Sequence, residues 1–440
     1  MRLQRYLQVF ARLTGSVAIS TRHRLSFLCL GLALATAGCA TVPGLAAMPT
    51  RAIPALPPPT ALLVPVAAAN PTRQPTAAGA VAVPTVPTPF IFPTSTATAP
   101  ALSPTATAPP PTATATPIPP SATPTPVPPT ATPHPLAGVT IEGLRARDYP
   151  GGPVQILQTL ETTATYTRYF IAYPSDGLTI TGIMQIPPGD GPFPVIILNH
   201  GYHERGSYWS GSGTWMAAEY LNGRGYLTIA PDYRSWGGSD WGPSLFHTGL
   251  VADVLNLVGS LGTIPQADPA RVGLWGHSMG GGITAKILTI EPRIRAAVLY
   301  ASNSADDADL IARWGRGCLP GETQATAHCN PGEVIPADLP PEIVQAYLAA
   351  AADPAMLRLI APIYYLDSVT APVQIHIGTA DGGEHNATPP EWSYKTHEAL
   401  LAAGKQSELF VYEGQGHLFA GTAWTDMIGR AADLFDATVR

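Results

Sequence analysis

A serine hydroxyl is a poor nucleophile until a neighbouring base takes its proton, so a reactive serine has to come with a histidine and an orienting acid. Gly276-His277-Ser278-Met279-Gly280 has a G-x-S-x-G pattern between a strand-like apolar run and a helix-like run. Glycines flank the serine because a strand-to-helix turn is tight and side chains there would collide. Such a turn lifts the Ser278 hydroxyl out of the sheet at a helix N-terminus, where developing negative charge is favoured. Downstream, Gly378-Thr379-Ala380-Asp381 puts an acid just past one apolar run, and Glu413-Gly414-Gln415-Gly416-His417 puts a histidine on a glycine-rich loop past the next. Serine, acid, histidine is a known chain order for a catalytic triad. The pattern predicts that Ser278 attacks, His417 moves the proton and Asp381 orients the imidazole, with Glu384 the competing acid. An oxyanion needs two backbone donors. Met279, which follows the nucleophile, and Tyr202, which follows Asn199-His200-Gly201, are the candidates. His376 inside a strand and His397 on a helix read as structural or surface residues.

The elements that must hold these groups are legible as an alternation. Residues 165–172 and 178–185 are rich in β-branched and aromatic residues and read as strands joined by Pro-Ser-Asp-Gly. The short all-apolar runs at 194–198, 226–230, 271–275, 296–300, 373–377 and 408–412 read as strands buried on both faces. Helical spacing runs through 216–225, 250–261 and 280–290. Strands alternating with helices predict an α/β fold with a doubly wound, mostly parallel sheet, whose sites lie beyond the strand C-termini. An insertion at about 303–362, with Asp306, Asp307, Asp309, Trp314 and a helix near 341–352, reads as lid-like. Among the loop aromatics Tyr202, Tyr208, Trp209, Trp236 and Trp241, the expected substrate contacts are Trp209 and Trp236.

Composition separates this domain from what precedes it. Of 440 residues, 40–137 are almost entirely Pro, Thr, Ala and Val and hold 27 of the 49 prolines. Such a tract cannot bury a core and favours extended polyproline II, so it reads as a disordered stalk before a catalytic domain at 138–440. All 30 acidic residues follow residue 137, against 17 of the 24 basic ones, leaving the domain at −13. That charge repels phosphate backbones and argues against a nucleic-acid partner. Arg22-His23-Arg24 precedes an apolar run at 25–37, too short to span a bilayer and suited to a signal peptide over 1–39. Leu-Ala-Thr-Ala-Gly-Cys at 34–39 resembles a bacterial lipoprotein cleavage site, so Cys39 is the expected lipid anchor and the only membrane attachment. An ordinary secretory signal is the alternative. In an exported protein Cys318 and Cys329 would pair as a disulfide. A metal site with His328, or one on His200 and His203, lacks further ligands, so no metal or other cofactor is expected.

The runs at 268–281, 371–381 and 411–417, with Ala230-Pro-Asp-Tyr-Arg234, resemble the catalytic domain of prolyl oligopeptidase-type α/β-hydrolases, to which dienelactone hydrolases and acetyl-xylan esterases are related. The resemblance covers about 160–440. It implies the α/β-hydrolase fold, the triad roles above and a small ester or peptide substrate. Here the proline tract stands where oligopeptidases carry a β-propeller, and Met279 stands where that family often has tyrosine. The readings left open are ester cleavage, peptide cleavage and, from another class, a stalked binding module without catalysis.

Overall fold

A computed structural model describes residues 134–383 and 387–440. The expected signal peptide with Cys39, the tract up to 133, and Glu384 lie outside the described residues.

Nine strands form one sheet in the order β1-β2-β3-β5-β4-β6-β7-β8-β9. They are β1 (Gln155–Thr162), β2 (Thr167–Ser175), β3 (Leu178–Ile186), β4 (Phe193–Asn199), β5 (Leu227–Pro231), β6 (Ala267–His277), β7 (Ile294–Tyr300), β8 (Val373–Gly378) and β9 (Ser407–Tyr412). Antiparallel pairing joins β1, β2, β3 and β5, and every pair from β5 through β4, β6, β7 and β8 to β9 is parallel. The parallel strands β5, β7 and β8 are apolar runs because helices cover both of their faces. Helices α1 (Trp215–Gly223) and α7 (Gly421–Thr438) pack on one face, with Leu221, Met427, Ile428 and Phe435 against Ile196, Leu198 and Trp275. Helices α2 (Thr248–Ser260) and α3 (Met279–Leu288) pack on the other, against Val195, Ile197, Leu274 and Leu299. Each fully buried Leu, Ile or Val in these layers contributes roughly 1.5–3 kcal/mol relative to exposure. The segment Leu245–Thr263, which contains α2, is long and apolar enough to cross a membrane, but 89% of its most apolar stretch is buried inside this fold, which is the environment of a core helix.

Two sequence expectations shift. The folded unit reaches back before residue 138, since Leu136 is buried with Phe246, Tyr347 and Ile360. Strand β1 was not expected. It is exposed along its whole length and is held by backbone pairing to β2, so it shows no inward-facing apolar pattern.

The insertion between β7 and β8 carries α4 (Asp307–Trp314), α5 (Pro341–Ala351), and the shorter helices Gln324–Ala327 and Pro354–Ile360. A disulfide joins Cys318 to Cys329, eleven residues apart, and Gly317 bridges Asn330 beside it. Closing a loop of that length stabilises by roughly 2–3 kcal/mol on the chain-entropy account. It also fixes the next residues, Asn330 to Gly332, which line the cleft at Ser278. Helix α6 (Pro390–Ala402) follows β8, and its Trp392 meets Trp314 edge-on at 5.2 Å.

Candidate active site

Strand β6 ends at His277, and Ser278 turns the chain into α3 with φ 56° and ψ −120°. A non-glycine residue rarely adopts this conformation, and one that does is held there by its surroundings. The glycines around it are sterically required. A Cβ at Gly276 would lie 2.3 Å from the Gly280 carbonyl oxygen, and one at Gly280 would lie 2.1 Å from that of Asn199. Ser278 therefore sits where the chain passes closest to β4 and to its own helix.

Strands β6, β8 and β9 run parallel, so their C-terminal ends meet at one rim. There the Ser278 hydroxyl donates to His417 Nε2 at 2.9 Å. His417 Nδ1 donates to Asp381, 3.0 Å from Oδ2 and 3.1 Å from Oδ1. The Asp381 carboxylate has no exposed side-chain surface, whereas the His417 side chain keeps 23% of its surface. The acid is thus held in place and the imidazole stays reachable.

Residues with no conspicuous sequence signal support these three. Thr388 donates to Asp381 twice, from its hydroxyl to Oδ2 at 2.9 Å and from its N–H to Oδ1 at 3.1 Å, and Gly382 N–H donates at 2.7 Å. His277 is buried, which pushes its imidazole well below the usual range, so it is neutral and its Nε2–H donates to the His417 carbonyl at 3.1 Å. The Tyr300 hydroxyl accepts from Phe419 N–H at 2.6 Å and pins the far side of the histidine loop. Of these, His277 lies inside the G-x-S-x-G pattern, but the pattern gives no reason to assign it this task.

The loop after β4 lies against the serine. A Cβ at Gly201 would come within 3.0 Å of Ser278 Cβ, so a side chain there would crowd the serine before Tyr202. Asp232, at the end of β5, anchors this loop by accepting from the hydroxyls of Tyr208 (2.9 Å), Ser210 (2.6 Å) and Thr181 (2.6 Å). His200 is buried, which pushes it down to about 4, and it donates to the Gly201 carbonyl at 2.7 Å. His200 and His203 serve packing, and among the described residues no group of three metal-type side chains converges. His376 is likewise internal, stacked on Phe410 and 3.0 Å from the Tyr412 hydroxyl, and His397 reaches Ser407 at 2.8 Å.

The aromatic expectations need correction. Trp236 is 1% exposed and belongs to the core, donating from its indole to the His203 carbonyl, with the Arg205 guanidinium 4.1 Å over its ring. Trp209 is exposed but does not line the cleft beside Ser278, whereas Tyr202, Met279 and Trp314 do. Loop aromatics read alike in sequence whether they face a cleft or close a core. The Tyr202 hydroxyl donates to Glu204 at 2.9 Å, away from the serine.

Beneath the cleft lies a buried cluster of Lys286, Asp307, Glu333 and His247. Lys286 Nζ meets Asp307 at 3.1 Å. Burial pushes the Glu333 carboxyl up to about 8 and, with the Lys286 charge, pushes His247 down to about 3. Both are neutral at pH 7, so their 3.5 Å approach joins neutral groups and is not an ion pair. Because the folded protein keeps the Glu333 proton that the unfolded chain releases near 4.5, the contribution of this group to stability is greatest below 4.5 and is lost as pH rises through about 8. The Glu333→Gln variant is expected to lose that slope and to gain on the order of 4 kcal/mol relative to the parent between pH 5 and 9. Urea unfolding at pH 5, 7 and 9 measures it, and parallel slopes for the two proteins would refute it.

A nine-stranded, mostly parallel sheet with an elbow serine, an acid and a histidine at its C-terminal rim defines an α/β-hydrolase. Residues 195–428, more than half of the 440, match the Alpha/beta hydrolase family, and the chain belongs to it. Esterase FrsA of Shigella boydii is 29% identical over 123 residues, which is 27% of this chain and 28% of that protein. The chain thus spans little more than a quarter of the length of that relative. Among solved structures, acetyl xylan esterase 1 from Thermoanaerobacterium sp. superposes with a TM-score of 0.47 at 18% identity, over 67% of this chain and 90% of that one. A puromycin-hydrolyzing peptidase of Mycobacterium tuberculosis gives 0.45 at 20% identity, over 64% and 41%.

Proposed function

We propose that the protein is an exported serine hydrolase that cleaves carboxylic ester or peptide acyl bonds through an acyl-enzyme on Ser278. The observation that carries this reading is the continuous chain of hydrogen bonds from Ser278 Oγ through His417 to Asp381, at 2.9 and 3.0 Å. In it, His417 Nε2 takes the hydroxyl proton as Oγ bonds to the substrate carbonyl carbon. Asp381 fixes the tautomer that leaves Nε2 free and stabilises the imidazolium. The oxyanion is received by the N–H of Met279, in the first turn of α3 where backbone donors have no intrahelical partner, and by that of Tyr202 beyond Gly201. Protonated His417 then gives its proton to the leaving alcohol or amine as the acyl–oxygen or acyl–nitrogen bond breaks. Water attacks the acyl-enzyme by the same path, releases the acid and restores Ser278. None of these steps requires a cofactor.

Export through a lipid on Cys39 accords with the Cys318–Cys329 disulfide, since such bonds persist in oxidising compartments. Incorporation of labelled fatty acid at Cys39 tests the anchor. The catalytic reading is tested by a fluorophosphonate probe together with p-nitrophenyl acetate, p-nitrophenyl butyrate and aminoacyl-anilides. Labelling of Ser278 with turnover of either substrate type is expected. An unlabelled Ser278 would leave the stalked binding module as the better description.

A further inference from the structure

The cleft at Ser278 extends between Met279 and the insertion residues Asn330 to Gly332 and is partly open to solvent. Tyr202, His247, Ser278, Met279, Asn303 and Gly332 are among its lining residues, and His417 is not. This asymmetry orients a substrate. The imidazole must reach the departing atom to protonate it, so the leaving group lies on the His417 side. The space past Met279 therefore receives the part of the substrate that stays on the serine, the acyl group.

Two polar side chains there are incomplete. His247 and Asn303 are 6% and 5% exposed, and His247 Nε2 and Asn303 Oδ1 have no hydrogen-bond partner among the described residues. Buried polar atoms are ordinarily paired, so two orphans lining one cleft call for a partner from outside. Gly332 keeps the approach open. A Cβ at that position would lie 3.0 Å from Asn330 Oδ1, 3.2 Å from His247 Nε2 and 3.3 Å from Met279 Sδ. The histidine is also firmly held. Phe246 and His247 both have left-handed backbone, with φ 52° and 58°. Lys286 donates to the Phe246 carbonyl at 2.9 Å, and His247 N–H donates to Glu333 at 3.3 Å.

The chemistry of the pair narrows the acyl group. With its Nε2–H tautomer His247 donates while Asn303 Oδ1 accepts, and a hydroxyl satisfies both at once by accepting from the imidazole and donating to the carboxamide. An ammonium would lose its water in the same buried setting that, together with the Lys286 charge, disfavours a protonated His247. An alkyl chain would leave both orphans unpaired in a site it dries. The geometry points to an acyl site for a short hydroxyacyl group, its hydroxyl bound by His247 Nε2 and Asn303 while its carbonyl lies at Ser278. This assignment rests on the hydrolase reading above.

The experiment compares kcat/KM of the full chain for p-nitrophenyl butyrate, 3-hydroxybutyrate, 2-hydroxybutyrate and 3-aminobutyrate. One of the hydroxy esters is expected to exceed butyrate by tenfold or more, and the amino ester to fall below it. Two variants localise the effect. Asn303→Leu removes one polar partner, and Gly332→Ala changes neither polar residue but crowds the space before Nε2. In each, the hydroxy-to-butyrate ratio is expected to drop to near one. Should Asn303→Leu fail to fold, Gly332→Ala decides alone. Hydrolysis of these esters without a hydroxy preference, or a preference that Gly332→Ala leaves intact, overturns this inference and spares the hydrolase reading. Absence of all turnover with Ser278 unlabelled overturns the hydrolase reading itself.

Discussion

Replacing Ser278 with alanine is expected to lower kcat on whichever ester or anilide the protein turns over by on the order of 10⁶, with no loss of fold. The side chain is small and sits on a turn whose geometry is set by Gly276 and Gly280, which pack against backbone carbonyls, so removing the hydroxyl disturbs no packing. What disappears is the atom that, on the proposed mechanism, bonds the acyl group. His417→Ala should cost a similar amount, because an alcohol without its base is inert at neutral pH. Asp381→Asn should cost about 10⁴, since the ring stays near its position but takes the wrong tautomer. The three losses do not add, because the residues act as one unit. Steady-state kinetics on the single and triple variants, with thermal melts to check folding, settle the matter. Retention of more than about a tenth of the parent rate by Ser278→Ala would remove Ser278 from the chemistry, because loss of the nucleophile from such a unit is near-complete loss of turnover.

The parts of this site that were legible in the sequence are those where chemistry and sterics act on neighbouring residues. The elbow reads from one pentapeptide because its glycines answer to contacts within five positions and to the adjacent strand. Asp381 and His417 read from their places just beyond β8 and β9, since parallel strands deliver successive C-termini to one rim. The strands buried on both faces read from their apolar runs. What did not read depends on partners distant in the chain. Thr388 matters because Asp381 turns back toward it, a pairing that no local pattern specifies. Trp236 and Tyr202 are both loop aromatics, and only the packing of β3, β5 and the loop after β4 sends one into the core and the other to the cleft. Strand β1 hid because both of its sides meet water. His247 and Glu333 are separated by α2, β6, α3, β7 and the first half of the insertion, and their proximity comes from the Ser244–Val334 bridge.

The same dependence on distant partners governs the second large effect, in stability. Arg234 and Asp253 are 4% and 0% exposed and meet in a fork, with Arg234 Nη2 2.8 Å from Asp253 Oδ1 and Nε 3.1 Å from Oδ2. Asp253 also accepts from the Arg234 N–H at 2.8 Å, and the guanidinium donates to the Pro243 carbonyl and to Asp176. The pair therefore ties α2 to the loop after β5 and to the turn between β2 and β3. Removing either partner strands a charge in a dry interior, so Arg234→Met and Asp253→Ala are each expected to cost about 3–5 kcal/mol. Solvation of the pair opposes its attraction, so the double variant Arg234→Met/Asp253→Leu should recover a large share of that loss. Urea unfolding of the four proteins gives the coupling energy by a double-mutant cycle. If either single variant loses less than about 1 kcal/mol, the pair is hydrated in solution and the loop is held by its backbone bonds. Asp232 lies two residues before Arg234, and its carboxylate anchors Tyr208 and Ser210 in the loop that presents Tyr202. A loosened Arg234 should therefore lower kcat as well as stability, and at temperatures where the variants remain folded the two effects can be separated.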